Sequence, residues 1–366
     1  MLSRTPAVVL TAALTLGVAA CGTSNGGGSN NGGGGGGGGK IALLLPESKT
    51  TRYDQQDKPN FEARVRQLCS GCQVIYSNAD QDVAKQQSQA EAALTAGAKV
   101  LVLDAVDVKA AAAIVNRARQ SKVPVISYGR LVSGAPLDYY VSIDPFKVGE
   151  QQAQSLVKKL GGKAGARVIM INGSPTDSNA APYKNGALSV FKKEGIKVVK
   201  SYDTPDWSPD KAQTEMDQAI SSLGKNGFDA VYVANDGMAT GAVAAMKGAR
   251  IDPASKPVTG QDAELAGVQR VLSGEQLMTV YQPIRKIAET AAELAVPLAK
   301  GSKPSAGLTP AKVDNGAGKV PSALLDTIAI TKNNVKSTVV KDGFLKTSDI
   351  CRGQYKAACQ SAGLGA

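Results

Sequence analysis

Val168-Ile169-Met170-Ile171 runs straight into Asn172-Gly173-Ser174-Pro175-Thr176-Asp177-Ser178-Asn179: four apolar residues, then a polar, turn-rich stretch. A continuous apolar run bounded by turn residues reads as a strand buried on both faces. The same unit recurs on either side. Strands read at 41–45, 73–77, 100–103, 125–128, 168–171, 198–202, 230–234, 258–260 and 278–281. Helical patterns fall between them at 84–96, 109–121, 209–223 and 284–300, with lysine-bearing helical stretches at 148–163 and 188–200. Apolar strands spaced by helices predict parallel sheets covered on both faces. These units are too many for one comfortable sheet. The expectation is therefore an α/β fold of two doubly wound, Rossmann-like lobes, the first spanning about 40–142 and the second starting near Pro145.

In such sheets ligands lie outside the carboxyl ends of the strands. Those ends carry Arg130, then Asn172 and Asp177, Asp206 and Trp207, Asn235 and Asp236, Gln261 and Asp262, and Gln282. Planar, two-pronged polar groups pair with neighbouring hydroxyls, and an indole face suits the C–H face of a sugar ring. Asn and Asp also cap helices, so each residue taken singly has a purely structural alternative.

Composition narrows the classes. The 366 residues are 43% hydrophobic, 20% charged and 4% aromatic, as in a soluble globular protein of two ordinary lobes. No histidine is present, which removes the usual general base and the commonest ligand of catalytic zinc. No cofactor, no metal and no catalytic residue are expected. The net charge of +11 comes from lysines scattered along helices, not from an arm interleaved with aromatics, so no nucleic-acid partner is expected. A repressor would need a helix-turn-helix before Lys40. A glycosidase built on Asp177, Asp206 and Asp262 is the enzymatic alternative, since carboxylates that bind hydroxyls look the same in sequence.

The N-terminus reads as an address. Residues 1–20 carry Arg4 and then an apolar run too short to span a bilayer comfortably, the pattern of a signal peptide. Val18-Ala19-Ala20-Cys21 resembles the bacterial lipobox, which makes Cys21 the expected acylation site and the lipid the only membrane contact. Residues 21–39, nearly all Gly, Ser and Asn, form a linker that cannot bury enough apolar surface to order itself. Cys69, Cys72, Cys351 and Cys359 remain, an even number in an exported chain, so disulfides are expected. Three connectivities are open; the local pairs Cys69 with Cys72 and Cys351 with Cys359 are favoured because each is close in sequence. Cys69-Ser70-Gly71-Cys72 reads as a helix end turning into a strand, which argues against a redox centre.

These motifs together resemble the type I periplasmic sugar-binding proteins of ABC transporters and, within them, the D-xylose-binding branch. The resemblance covers roughly 40–346 and rests on Val141-Ser142-Ile143-Asp144, the 172–179 stretch quoted first, Ala234-Asn235-Asp236, Gly260-Gln261-Asp262-Ala263-Glu264, Met278-Thr279-Val280-Tyr281-Gln282-Pro283 and Thr331-Lys332-Asn333-Asn334-Val335. It implies a hinge of three crossing segments and a cleft between the lobes. The N-terminal lobe would comprise 40–143 and 283–323, and the C-terminal lobe 144–282 and 324–347. A C-terminal extension, 348–366, lies outside the pattern. It implies sugar contacts from Arg52, Arg130, Asp177, Asn179, Trp207, Asn235 and Asp262, with Tyr53 as an aromatic wall. Two positions depart: Tyr-Asp-Arg reads here Tyr128-Gly129-Arg130, and Tyr-Lys-Pro reads Tyr281-Gln282-Pro283. Gly129 is thus expected to leave a vacancy beside Arg130, filled by a water, a neighbouring side chain or a larger sugar. The implied function is a monomeric, extracytoplasmic lipoprotein, at the cell surface or in the periplasm. It would hand a monosaccharide, D-xylose first and another aldose as the alternative, to a permease and its ATPase. A chemosensory receptor module is the further alternative.

Overall fold

A computed structural model describes residues 38–365; the expectations for the signal peptide, Cys21 and most of the linker lie outside them. The first sheet has seven strands: β1 (Lys40–Leu45), β2 (Gln73–Asn78), β3 (Ala98–Leu103), β4 (Val125–Tyr128), β5 (Tyr139–Ile143), β10 (Ala311–Asp314) and β11 (Lys319–Leu325). Their order is β10-β11-β5-β4-β3-β1-β2, parallel throughout except for β10, the antiparallel edge. Alternate residues of β1 enter two apolar cores: Ile41, Leu43 and Leu45 face one, Ala42 and Leu44 the other. That two-sided burial is why the run is apolar without a break.

The second set of strands is β6 (Arg167–Asn172), β7 (Lys197–Asp203), β8 (Ala230–Val233), β9 (Thr279–Tyr281) and β12 (Ile328–Ile330), in a parallel sheet β7-β6-β8 and an antiparallel pair β12-β9. Residues 258–260, expected as a strand, join the two irregularly. Thr259 Oγ1 accepts from Val233 N (2.8 Å) and donates to Val233 O (3.0 Å), so a side chain occupies a place in the ladder. Beyond it Val280 N donates to Gly260 O at 3.1 Å.

Three segments pass between the sheets: after β5, after β9 and between β11 and β12. After β9 the helix Ile284–Ala299 returns to the first sheet, where it packs on the helix Lys58–Leu68 and on β3. β11 still pairs with β5 at Leu325, two residues past the boundary expected at 323. The stretch 188–200 is not one helix. Its helix, Ala180–Lys193, ends before the β-branched Val198 and Val199, which belong to β7. The helix expected from 109 begins at Ala112, because Asp107 Oδ1 accepts from Lys109 N and Ala110 N and holds those residues in a turn.

The C-terminal piece is built into the second lobe. Gln269 Nε2, on the helix Leu265–Ser273, donates to the carbonyls of Asp349 (3.3 Å) and Ile350 (3.0 Å), while Ile350, Cys359 and Leu364 are buried in the main core. Cys351 and Cys359 are bridged, their Cα atoms 5.7 Å apart. Cys69 and Cys72 are bridged where the helix Lys58–Leu68 turns into β2, their Cα atoms 5.3 Å apart.

Candidate functional site

The carboxyl ends of both sheets face one cleft of about 490 Å³ of empty space, its open mouth included. Arg52, Tyr53, Gly129, Arg130, Asp177, Asn179, Trp207, Asn235, Asp262 and Gln282, the ten residues singled out from sequence, all line it.

Each is held by its neighbours. Arg52 precedes the short helical turn Tyr53–Asp57; its Nε and Nη2 donate to the Asp57 carboxylate at 2.9 and 2.8 Å. Tyr128 Oη donates to the same carboxylate from β4. Arg52 Nη1 then reaches Gln282 Oε1 (3.1 Å), and Gln282 Nε2 reaches Asp262 Oδ1 (3.0 Å), so one chain of bonds joins the first lobe, a crossing segment and the second lobe. Arg130 Nη1 donates to Ala105 O at 2.8 Å, while its Nε lies 2.8 Å from Asp177 Oδ2 and 3.5 Å from Asp104 Oδ1. Asn235 does two jobs: it lines the cleft and its Oδ1 caps the helix Asp236–Gly248 by accepting from Met238 N.

Trp207 lies against Gly173. A Cβ on Gly173 would stand 2.1 Å from the indole Cη2, so only glycine lets the ring settle there. Tyr183 meets the indole edge-on, with centroids 6.4 Å apart and planes at 74°. The backbone is strained around this cleft: φ is +60° at Asp206, +53° at Trp207, +88° at Asp262 and +50° at Ala263. Positive φ at such residues is held only where surrounding contacts over-determine it, here the bonds from Asp262 N to Val280 O and from Ala263 N to Thr279 Oγ1.

Three residues of the strand-end pattern do not line the cleft. Asn172 Nδ2 ties β6 to Ser201 Oγ and Tyr202 O of β7. Asp206 turns outward to Lys211 at 2.6 Å. Asp236 accepts from Gln276 Nε2, Thr279 Oγ1 and Glu264 N inside the second lobe. An enzymatic pairing of Asp206 with Asp177 or Asp262 has no geometric basis. Thr50, Asp104, Ser142, Tyr183, Gln261 and Ile287 complete the lining. Asp104 follows β3 directly, so the strand-end rule applied to β3 would have found it.

Gly129 leaves no vacancy. Its φ of +67° and its position place a hypothetical Cβ 2.4 Å from Asp104 Oδ2, so the Asp104 carboxyl already holds that space. Burial pushes the Asp104 carboxyl up to about 8, with Arg130 and Arg52 pulling the other way. Burial also raises Asp262, again opposed by Arg52. Around Arg130 burial works against the charge, but Asp177, Tyr53 and Asp104 outweigh it and raise its pKa.

Of the ten buried side-chain atoms that find no hydrogen-bond partner among the described residues, five belong to residues that line this cleft. They are both Asp104 carboxyl oxygens, Trp207 Nε1, Gln261 Oε1 and Arg130 Nε, the last ion-paired with Asp177 at 2.8 Å but without a hydrogen bond of good geometry. Leaving such groups unpaired costs about 1–3 kcal/mol each, so they mark where hydroxyl-bearing partners belong. The charges do not select an anion: the guanidiniums of Arg52 and Arg130 face the carboxyls of Asp57, Asp104, Asp177 and Asp262. A neutral polyol fits.

The lobes are closed over the cleft. Val108 N donates to Thr176 O (3.1 Å), Leu131 N to Ser178 Oγ (2.7 Å), Asn179 Nδ2 to Gly129 O (3.1 Å), Gln81 Nε2 to Asp206 O (3.4 Å) and Thr51 N to Glu264 Oε1 (3.2 Å). Among the described residues no helix is long and apolar enough to cross a membrane.

The chain is similar to known proteins over most of its length. The model of the Periplasmic binding protein domain matches residues 41–303. The D-xylose-binding periplasmic protein of Escherichia coli (strain K12) is 36% identical over 315 residues, covering 85% of this chain and 92% of that protein. The multiple sugar-binding periplasmic receptor ChvE of Rhizobium radiobacter is 32% identical over 329 residues, with the same coverage of 85% and 92%. A solved ABC transporter solute binding protein from Clostridium phytofermentans with bound β-D-glucose matches with a TM-score of 0.77 at 27% identity, covering 85% of this chain and 99% of that one. The chain therefore belongs to the periplasmic binding protein family, among the sugar-binding members that serve ABC transporters, which are binding proteins and not enzymes.

Proposed function

We propose that this protein captures D-xylose in the cleft between its lobes and presents it to an ABC permease. The observation that carries the reading is the convergence of unpaired buried polar atoms, the Asp104 carboxyl oxygens, Gln261 Oε1 and the Trp207 indole N–H, on one neutral-ligand cleft beside an aromatic face. The sugar's hydroxyls would satisfy those groups, and the indole would cover its C–H face. D-xylose leads because relatives of E. coli and Haemophilus influenzae, both 36% identical, carry that sugar in their names. A broader aldose specificity is the second reading, favoured by the multiple sugar-binding relatives of R. radiobacter and Azospirillum brasilense at 32% identity.

The proposal extends to the ends of the chain. Cys21 carries the lipid that holds the protein outside the cytoplasm, the glycine-rich linker gives the lobes reach, and the two bridges are structural staples. The test is titration calorimetry of the mature protein with D-xylose, D-glucose, L-arabinose, D-ribose, D-galactose and D-glucuronate. Tightest binding of D-xylose and none of glucuronate is expected. Preference for an anionic sugar, or no heat with any monosaccharide, would overturn the reading.

A further inference from the structure

We propose that Asp104, delivered from β3, is a specificity-determining hydrogen-bonding group of the cleft, standing in the volume that a side chain at Gly129 would otherwise fill. The assignment rests on the sugar-binding reading and deepens it. Asp104 is 1% exposed, lines the cleft, and neither of its carboxyl oxygens has a hydrogen-bond partner among the described residues. Its nearest cation, Arg130 Nε, is 3.5 Å away and sits closer to Asp177, at 2.8 Å, while Arg130 Nη1 is committed to Ala105 O. A pure counter-ion role would leave both Asp104 oxygens short of donors, and the cleft is the direction from which donors can come.

Gly129 is the complement of this arrangement. Its carbonyl is fixed by Tyr140 Oη (3.3 Å), Ser142 Oγ (2.6 Å) and Asn179 Nδ2 (3.1 Å), so the loop cannot retreat, and any Cβ there meets the Asp104 carboxyl at 2.4 Å. Besides Asp177, one acidic group fits in the space between Gly129 and Arg130, and the backbone decides which strand supplies it. A carboxyl from β3 approaches the ligand from a different side than one from β4, so it reads a different hydroxyl.

The test pairs Asp104→Ala with singly deoxygenated D-xylose analogues, using calorimetry on the full mature protein and circular dichroism to establish folding. In the wild type, one deoxy analogue is expected to bind about 5- to 150-fold more weakly than D-xylose, the range set by an unpaired buried polar group. Asp104→Ala should lose a similar factor toward D-xylose and lose nothing further toward that same analogue, while the other analogues keep their penalties. Equal penalties at every position in Asp104→Ala and wild type would overturn the assignment, because a counter-ion acting only through Arg130 gives a uniform loss. Wild type that binds no monosaccharide would instead sink the sugar reading itself. A second variant checks the shared volume: Gly129→Asp added to Asp104→Ala should recover part of the lost affinity, since Asp tolerates positive φ better than most residues. A folded double variant that binds no better than Asp104→Ala would count against it.

Discussion

Gly173→Ala places a methyl group where the structure has an indole. The new Cβ would lie 2.1, 2.5 and 2.6 Å from Cη2, Cζ2 and Cζ3 of Trp207. Carbon atoms in contact sit about 3.5–4.0 Å apart, so the ring must withdraw by roughly 1.5 Å or tilt. Neither movement is free, because Trp207 is buried, its backbone φ is +53° and Tyr183 blocks its edge. Overpacking of this kind costs about 1–3 kcal/mol. If the ring moves into the cleft or off the sugar face, that cost appears as a loss of affinity of about 5- to 150-fold. Trp207 is the only tryptophan in the chain, so its fluorescence reports the same event that calorimetry measures. The expected result is weaker D-xylose binding together with a changed or absent emission response, in a protein whose ligand-free melting curve remains cooperative. A folded Gly173→Ala protein with wild-type affinity would refute the stacking role of Trp207.

Asp104 makes stability fall with rising pH. Burial keeps a proton on its carboxyl up to about 8 in the folded protein, with Asp177 and Asp57 adding to the effect and the facing Arg130 and Arg52 opposing it, whereas the unfolded chain releases that proton near 4. The folded state therefore binds more protons between those values, stability declines across that window and levels off above it; in Asp104→Asn the difference in Tm between pH 5 and pH 8.5 should shrink, and an unchanged difference would contradict this. Asp236→Asn should destabilise the second lobe by about 1–3 kcal/mol at pH 8 with little change in sugar affinity, because the amide NH₂ would face a donor on either side, Gln276 Nε2 or Glu264 N. Urea titration and calorimetry separate the two effects. Cys21→Ala should release the protein from the membrane fraction, and mass spectrometry showing unmodified Cys21 in the native protein would end the anchoring proposal. Peptide mapping without reduction should recover Cys69 linked to Cys72 and Cys351 to Cys359; a Cys72–Cys351 peptide would contradict the pairing.

Apolar strands with helices between them were legible because two-sided burial keeps β1, β4 and β8 almost wholly apolar, with Lys40 at the start of β1 and Ser127 inside β4 as the exceptions. β10, β11 and β12 were not, since they lie at or near edges: β11 carries Pro321, and only part of it is buried. Proline in a run ordinarily argues against a strand. Six of the ten cleft residues were legible as strand ends, and Arg52, Tyr53, Gly129 and Asn179 only through the family resemblance; the neighbours of the six show the limit of the strand-end rule. Asn235 faces the cleft and Asp236 the lobe interior; Trp207 turns in and Asp206 turns out. Adjacent residues differ by backbone angles that no spacing encodes. Of the occupants expected beside Gly129, the structure has the neighbouring side chain; which one was not legible for a related reason, because that carboxyl follows a strand 25 residues earlier and arrives only through tertiary packing.

A protein held outside the cytoplasm meets an ionic strength that the cell does not set. Four of the bonds that span its lobes are between neutral groups, Val108 N to Thr176 O, Leu131 N to Ser178 Oγ, Asn179 Nδ2 to Gly129 O and Gln81 Nε2 to Asp206 O, and the ion pair of Arg130 with Asp177 across them is buried from salt. Salt screens exposed charges over about a Debye length and leaves such neutral hydrogen bonds almost untouched. Closure of the cleft should consequently hold the same balance in dilute water and in brine, while any charge-guided docking of the basic surface on a partner would fade as salt rises.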